Sequence, residues 1–163
     1  MNYPRKVTIG DITVRDGYQH EEKFIPTQAK LWMLEQLLLA GFKNIEVTNF
    51  GNPRGMPQFS DADDLFKKIR TSKKVSHLLS DASLTAITIR EKAVERAIQA
   101  KLDGYGPDRI LLMVSTSESH HMKNSGLSLK DYWKMAETQI KKELKRWVKG
   151  YSVKDKRKGP TNA

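Results

Sequence analysis

The chain has 163 residues, 38% of them hydrophobic and 29% charged, with a formal net charge of +10 and no cysteine; this length supports one domain with a useful hydrophobic core. No apolar run approaches the roughly 18 residues of a membrane-spanning helix, and the first residues lack an apolar signal core. A membrane span, disulfides, zinc-thiolate sites and a cysteine nucleophile are therefore excluded, and a soluble cytoplasmic protein is expected.

The positive charge is local. Residues 141–158 hold nine Lys/Arg against Glu143 and Asp155, whereas the rest of the chain carries 20 basic and 17 acidic side chains. Such a run reads as a solvated helix face and a basic terminal tail, with 151–163 expected to be disordered, rather than as a specific nucleic-acid site. Nonspecific attraction to a polyanion stays open.

In chain order, the β-branched stretch 6–14 predicts a strand that ends in the turn signal Asp16-Gly17. Pro26-Thr27 predicts a helix start, with Leu31, Leu34, Leu37 and Leu38 at helical spacing until Gly41. A second short strand is expected at 45–48, then a Gly/Pro loop at 51–55 and a helix at 60–69. Residues 73–81 read equally as a helical turn or a strand. Residues 84–89 predict a third strand, and 91–102 a helix with Val94, Ala97, Ile98 and Leu102 on one stripe.

The apolar run 109–115 predicts a parallel strand covered on both faces. Ser128 with Asp131 resembles a capping box, opening a helix that continues to about Val148. Four strand-then-helix units result, so the fold is α/β with a parallel sheet, doubly wound or closed as a barrel. Either architecture binds ligands at the carboxyl ends of its strands. Those ends carry Arg15 and Asp16, Glu46 with Thr48 and Asn49, Thr88 with Arg90, and Ser115 through Glu118.

Glu46 is the most informative of these, because it alternates with Ile45 and Val47 in a strand expected to be covered on both faces. A carboxylate there needs an arginine, a metal or a hydrogen-bond network. A structural ion pair with Arg15 and a catalytic role both satisfy that need.

The order of motifs is more specific than any one of them. Arg15-Asp16-Gly17 with Gln19 and Glu21, Phe24-Ile25-Pro26-Thr27, Ile45-Glu46-Val47-Thr48, Pro57-Gln58 with Asp61-Ala62-Asp63, and the stretch from Ser115 to Asn124 together resemble the 3-hydroxy-3-methylglutaryl-CoA (HMG-CoA) lyase family. That family has a pyruvate carboxyltransferase-type TIM-barrel domain and shares a superfamily with isopropylmalate, homocitrate and citramalate synthases. The resemblance implies a (β/α)₈ barrel, of which residues 1–150 form the N-terminal half with about four βα units. It also implies a divalent metal, Mg²⁺ or Mn²⁺, at the barrel mouth and an acyl-CoA substrate.

By the same resemblance, Arg15 stabilises the enolate oxygen, Asp16 ligates the metal, Glu46 is the catalytic carboxylate and Gln19 lies near the substrate. Asn49 and Thr88, at neighbouring strand ends, are further substrate-binding candidates. The lyases usually carry Leu, Asn and Ser where Tyr18, His20 and Asn49 stand here, which alters the pocket. The family completes its metal site with a His-x-His pair, whereas this sequence has only His20, His77, His120 and His121. His120-His121 cannot replace it on a strand, where neighbours face opposite ways, and both read as polar loop residues.

A barrel of about 250 residues is represented by four units, and 150–153 falls where a fifth strand should begin. Three functions compete: a metal-dependent carbon–carbon lyase acting on a 3-hydroxyacyl-CoA, an acetyl-CoA-condensing synthase, and a non-catalytic half-barrel. Exposed edges and apolar faces of a half-barrel would favour self-association.

Overall fold

The computed structural model describes residues 3–154. Four strands lie in one parallel sheet in chain order: β1 (Gly10–Asp11), β2 (Asn44–Asn49), β3 (Ser83–Thr88) and β4 (Arg109–Leu112). Between and after them run the helices α1 (Thr27–Leu39), α2 (Ala62–Thr71), α3 (Glu91–Leu102), α4 (Glu118–Ser125) and α5 (Leu129–Lys154). The ambiguous stretch near residue 77 is a 3₁₀ turn, Ser76–Leu79.

The core fills the space between the sheet and its helices. Leu31, Leu34 and Leu38 of α1 and Leu65, Phe66 and Ile69 of α2 meet Ile45, Val47, Leu84 and Ala86 of the sheet. The Phe50 and Phe66 rings stack at 5.8 Å. Leu34 is fully buried, so Leu34→Ala should cost about 2–5 kcal/mol in a denaturant titration. Gly41 ends α1 with φ +95°, a conformation open to glycine at little steric cost.

Two expected strands are shorter than their β-branched runs. Only Gly10 and Asp11 of 6–14 pair with β2, because the Asp11 carboxylate accepts from the Thr13 amide and hydroxyl at 2.8 and 3.0 Å. The chain then leaves the ladder for a π-helical turn, Thr13–Gly17, in which the amides of Arg15, Asp16 and Gly17 converge on the Ile12 carbonyl. The run 109–115 pairs only over Arg109–Leu112. Leu111 is 40% exposed and Met113 39%, so this strand is not covered on both faces.

The His120-His121 pair lies on α4, not in a loop. The Ser117 hydroxyl caps this helix by accepting from the His120 amide, and Gly126 closes it with φ +69°. The capping box of α5 forms as expected: the Ser128 hydroxyl accepts from the Asp131 amide at 3.0 Å and donates to the Asp131 carboxylate at 2.7 Å. The helix runs past Val148 to Lys154, so residues 150–153 are helical rather than the start of a strand. The first four residues assigned to the tail, 151–154, thus belong to this helix, and 155–163 lie outside the described residues. Among the described residues no helix is long and apolar enough to cross a membrane.

Candidate active site at the carboxyl ends of the strands

A bulge decides which side chains of β2 face the site. Glu46 pairs with Thr85, but the next pairing joins Thr48 to Ala86, leaving Val47 as the extra residue. Thr48 is thereby put in the core-facing row of Ala86 and Ile110, and its fully buried hydroxyl has no partner among the described residues. Asn49 falls in the row of Ile87 and Leu111, two residues beyond the row of Glu46, Thr85 and Arg109. Alternation places Glu46 opposite the core residues Ile45 and Val47, where Arg15 meets it.

Arg15 is only 7% exposed. Its Nε and Nη2 donate to Glu46 Oε2 at 2.9 and 2.6 Å, and its Nη1 donates to Asp16 Oδ1 at 2.5 Å. The π-helical turn makes this possible by aiming Arg15 inward beside β2 while leaving Asp16 half-exposed at the rim. Each terminal nitrogen of the guanidinium keeps a further N–H with no partner among the described residues.

Of the sequence-derived candidates, the structure brings Arg15, Asp16 and Glu46 together. Gln19 is half-buried, and no hydrogen bond among the described residues ties it to the other three. Asn49 is committed to its own loop: its Oδ1 accepts from the Gly51 amide at 2.7 Å and its Nδ2 lies 3.2 Å from Met56 Sδ. Thr88 is buried, and its hydroxyl reaches the Leu111 carbonyl at 3.4 Å rather than the cluster.

The two adjacent histidines diverge. His120 is exposed and bonds Asn124 at 2.8 Å, whereas His121 is buried with its ring edge on Tyr132 at 4.5 Å. Among the described residues no group of three or more His, Asp or Glu side chains is arranged to hold a metal ion. The donors present therefore do not make a divalent site by themselves, and Asp16 is a single carboxylate at the rim.

Residues that set the loops around the site were not among the candidates. Arg96 of α3 donates to the carbonyls of Phe50 and Gly51 at 3.0 and 3.1 Å and pairs with Asp63 at 2.7 Å, tying the turn after β2 to the helical layer. Lys30, 1% exposed, pairs with Asp61 at 2.8 Å. Gln58 and Asp61 lie in motif stretches quoted above, whereas Lys30 and Arg96 carry no sequence signal beyond their charge.

Tyr105 donates to Asp63 at 3.1 Å. Burial, followed by the Asp63 charge and hydrogen bond, pushes its phenol up to about 12. The native state thus holds this proton after the unfolded chain has lost it near pH ~10, and its contribution is complete below that pH and lost as pH rises towards 12. The ultraviolet difference titration between the protein and Tyr105→Phe should show a phenolate midpoint near 12. The variant should also lose less stability across that alkaline window.

The chain is thus a parallel α/β protein with a buried, carboxylate-paired arginine at the carboxyl ends of its strands, where folds of this class bind their ligands. The HMGL-like family model matches residues 6–157, and the chain belongs to that family. It is 33% identical over 124 residues to a hydroxymethylglutaryl-CoA lyase of Bacillus subtilis, covering 76% of this chain and 38% of the relative. It is 28% identical over 131 residues to a 3-hydroxy-3-isohexenylglutaryl-CoA/hydroxymethylglutaryl-CoA lyase of Pseudomonas aeruginosa, covering 80% and 40%.

Among solved structures, the crystal structure of a Bacillus subtilis HMG-CoA lyase superposes with a TM-score of 0.74 at 28% identity, covering 89% of this chain and 45% of that one. The chain therefore spans less than half the length of these relatives, and its fold is part of their (β/α)₈ barrel.

Proposed function

We propose that this chain is the N-terminal, Arg15-bearing half of a lyase that cleaves a carbon–carbon bond in a 3-hydroxyacyl-CoA such as 3-hydroxy-3-methylglutaryl-CoA. The observation that carries this reading is the buried Arg15 guanidinium, oriented by Glu46 and Asp16 and keeping unspent N–H donors at the strand ends. The substrate class comes from the names of the relatives.

In such a cleavage the 3-hydroxyl loses its proton and becomes the carbonyl of one product as the C2–C3 bond breaks. The electron pair moves onto the thioester carbonyl, giving the enolate of the departing acyl-CoA, which then takes up a proton at carbon. Arg15 is the group to receive the enolate oxygen, because its charge and free N–H groups favour the oxyanion over the neutral thioester. Glu46 holds the guanidinium plane through two of its nitrogens, and Asp16 holds the third. A condensing synthase would use the same enolate to attack a 2-oxo acid and then release free CoA by hydrolysis of the thioester, so acetoacetate release from HMG-CoA against CoA release from acetyl-CoA with a 2-oxo acid distinguishes lyase from synthase.

The decisive test is a chimera in which residues 1–150 replace the matching portion of the Bacillus subtilis relative. Acetoacetate release from HMG-CoA is the expected result, and a folded chimera without turnover would overturn the proposal. The family's divalent metal would meet Asp16 here, but one carboxylate leaves most coordination positions to water. A Mn²⁺ titration of residues 1–163 followed by proton relaxation should accordingly reach no saturation in the micromolar range, and tight binding would contradict this account.

A further inference from the structure

Residues 18–26 are a strap that leads from the π-helical turn to α1; beyond the helical residues Tyr18 and Gln19 they form no regular helix or strand, and the Glu21 amide bonds the Tyr18 carbonyl at 3.2 Å. A single side chain supplies what a neighbouring strand would otherwise give. Gln58 Nε2 donates to the carbonyls of Glu21 and Lys23 at 2.7 and 2.6 Å, and its Oε1 accepts from the Ile25 amide at 3.1 Å. The contacted groups alternate along the strap, so the Gln58 amide stands in for the peptide of an adjacent strand.

Gln58 is itself held firmly. It is 5% exposed in the 3₁₀ turn Pro57–Phe59, and its backbone carbonyl accepts from the buried Lys30 ammonium. Lys30 also bonds Asp61 at 2.8 Å and lies 4.4 Å from the centre of the Phe24 ring, on the strap. Asp61 accepts in turn from the Thr27 hydroxyl at 2.8 Å. The strap, the start of α1 and the start of α2 are thus fused at one point, five residues along the chain from Asp16.

We propose that Gln58 is a positioning residue, clamping the strap at residues 21–25 so that the preceding turn holds Arg15 against Glu46. This deepens the reading of the site given above and rests on it for its catalytic meaning, although the clamp can be measured without turnover. Glutamine suits the task because it donates twice and accepts once from one planar group. Glutamate lacks the donors at neutral pH, and methionine keeps the length without any strong hydrogen bond.

The test is hydrogen exchange by NMR on ¹⁵N-labelled protein of residues 1–163, as found and with Gln58→Met or Gln58→Glu, reading the Ile25 amide, the Arg15 Nε–H and the strand amides of Ile45 and Ile87. Gln58→Met should speed Ile25 exchange by roughly 10²-fold and Arg15 Nε–H exchange by about tenfold, while the strand amides keep their protection. Gln58→Glu, which still accepts from Ile25, should leave that amide protected yet speed Arg15. Unchanged Ile25 exchange in Gln58→Met overturns the clamp. Fast Ile25 with unchanged Arg15 overturns the positioning role and leaves a local structural one.

Should neither variant fold, the unsubstituted protein decides: slow exchange of the Gln58 side-chain amide protons is expected, and exchange at the free-amide rate sinks the proposal. A failed lyase assay would leave every one of these readouts unmoved.

Discussion

Arg15→Ala in the chimeric barrel should lower kcat by about 10²–10³-fold, the scale of losing one oxyanion donor. The loss should fall mainly on kcat, because Arg15 meets full negative charge only as the C2–C3 bond breaks. Mn²⁺ affinity should survive, since the guanidinium is no ligand and its removal frees Asp16 Oδ1. Arg15→Lys should rescue little: a lysine brings the charge but cannot place one nitrogen on Asp16 and two on Glu46 while offering further donors outward. An equal loss of metal affinity in Arg15→Ala would contradict the separate roles of Arg15 and Asp16.

A protein of residues 1–163 alone should sediment as dimers or larger species at high micromolar concentration. The sheet ends at β1 on one side and β4 on the other, and both are open edges in the described structure. Large apolar side chains are exposed as well: Trp32 and Leu39 on α1, Trp133 and Ile140 on α5, and Leu111 and Met113 on β4 and just beyond it. Unpaired edge amides and exposed aromatic surface both favour association. Leu111→Lys puts a charge on the open edge strand and should weaken the association by about tenfold, a change of ~1.4 kcal/mol. A well-folded monomer at that concentration would show that four βα units close their own core.

Much of this architecture is legible along the chain because the information is local. The α3 stripe, with Val94, Ala97 and Ile98 recurring at helical spacing, appears at its expected bounds, Glu91–Leu102. The capping pair Ser128 and Asp131 starts α5 where its spacing says it should. Motif order placed the chain in its family, and the alternation of Glu46 with Ile45 and Val47 pointed to a carboxylate needing a partner, which the structure supplies as Arg15.

Other features depend on atoms far apart in sequence. Residues 6–9 have the composition of a strand but pair with no strand among the described residues, since a strand is made by its neighbour as much as by its own residues. The bulge at Val47 is a matter of register against β3, invisible in a single strand, and it sends Thr48 into the core and Asn49 into the site-facing row. His121 is buried because α4 rests it against Tyr132, whereas a His-His pair read alone looks like a polar loop. The sequence by itself determined the α/β class of fold and the family, because periodicity and motif order are properties of neighbouring residues, and it marked Glu46 as a carboxylate in need of a partner without choosing among an arginine, a metal or a hydrogen-bond network. Only the tertiary structure decided which strand ends face the site and that Gln58 secures the strap, because those depend on hydrogen bonds between segments more than thirty residues apart.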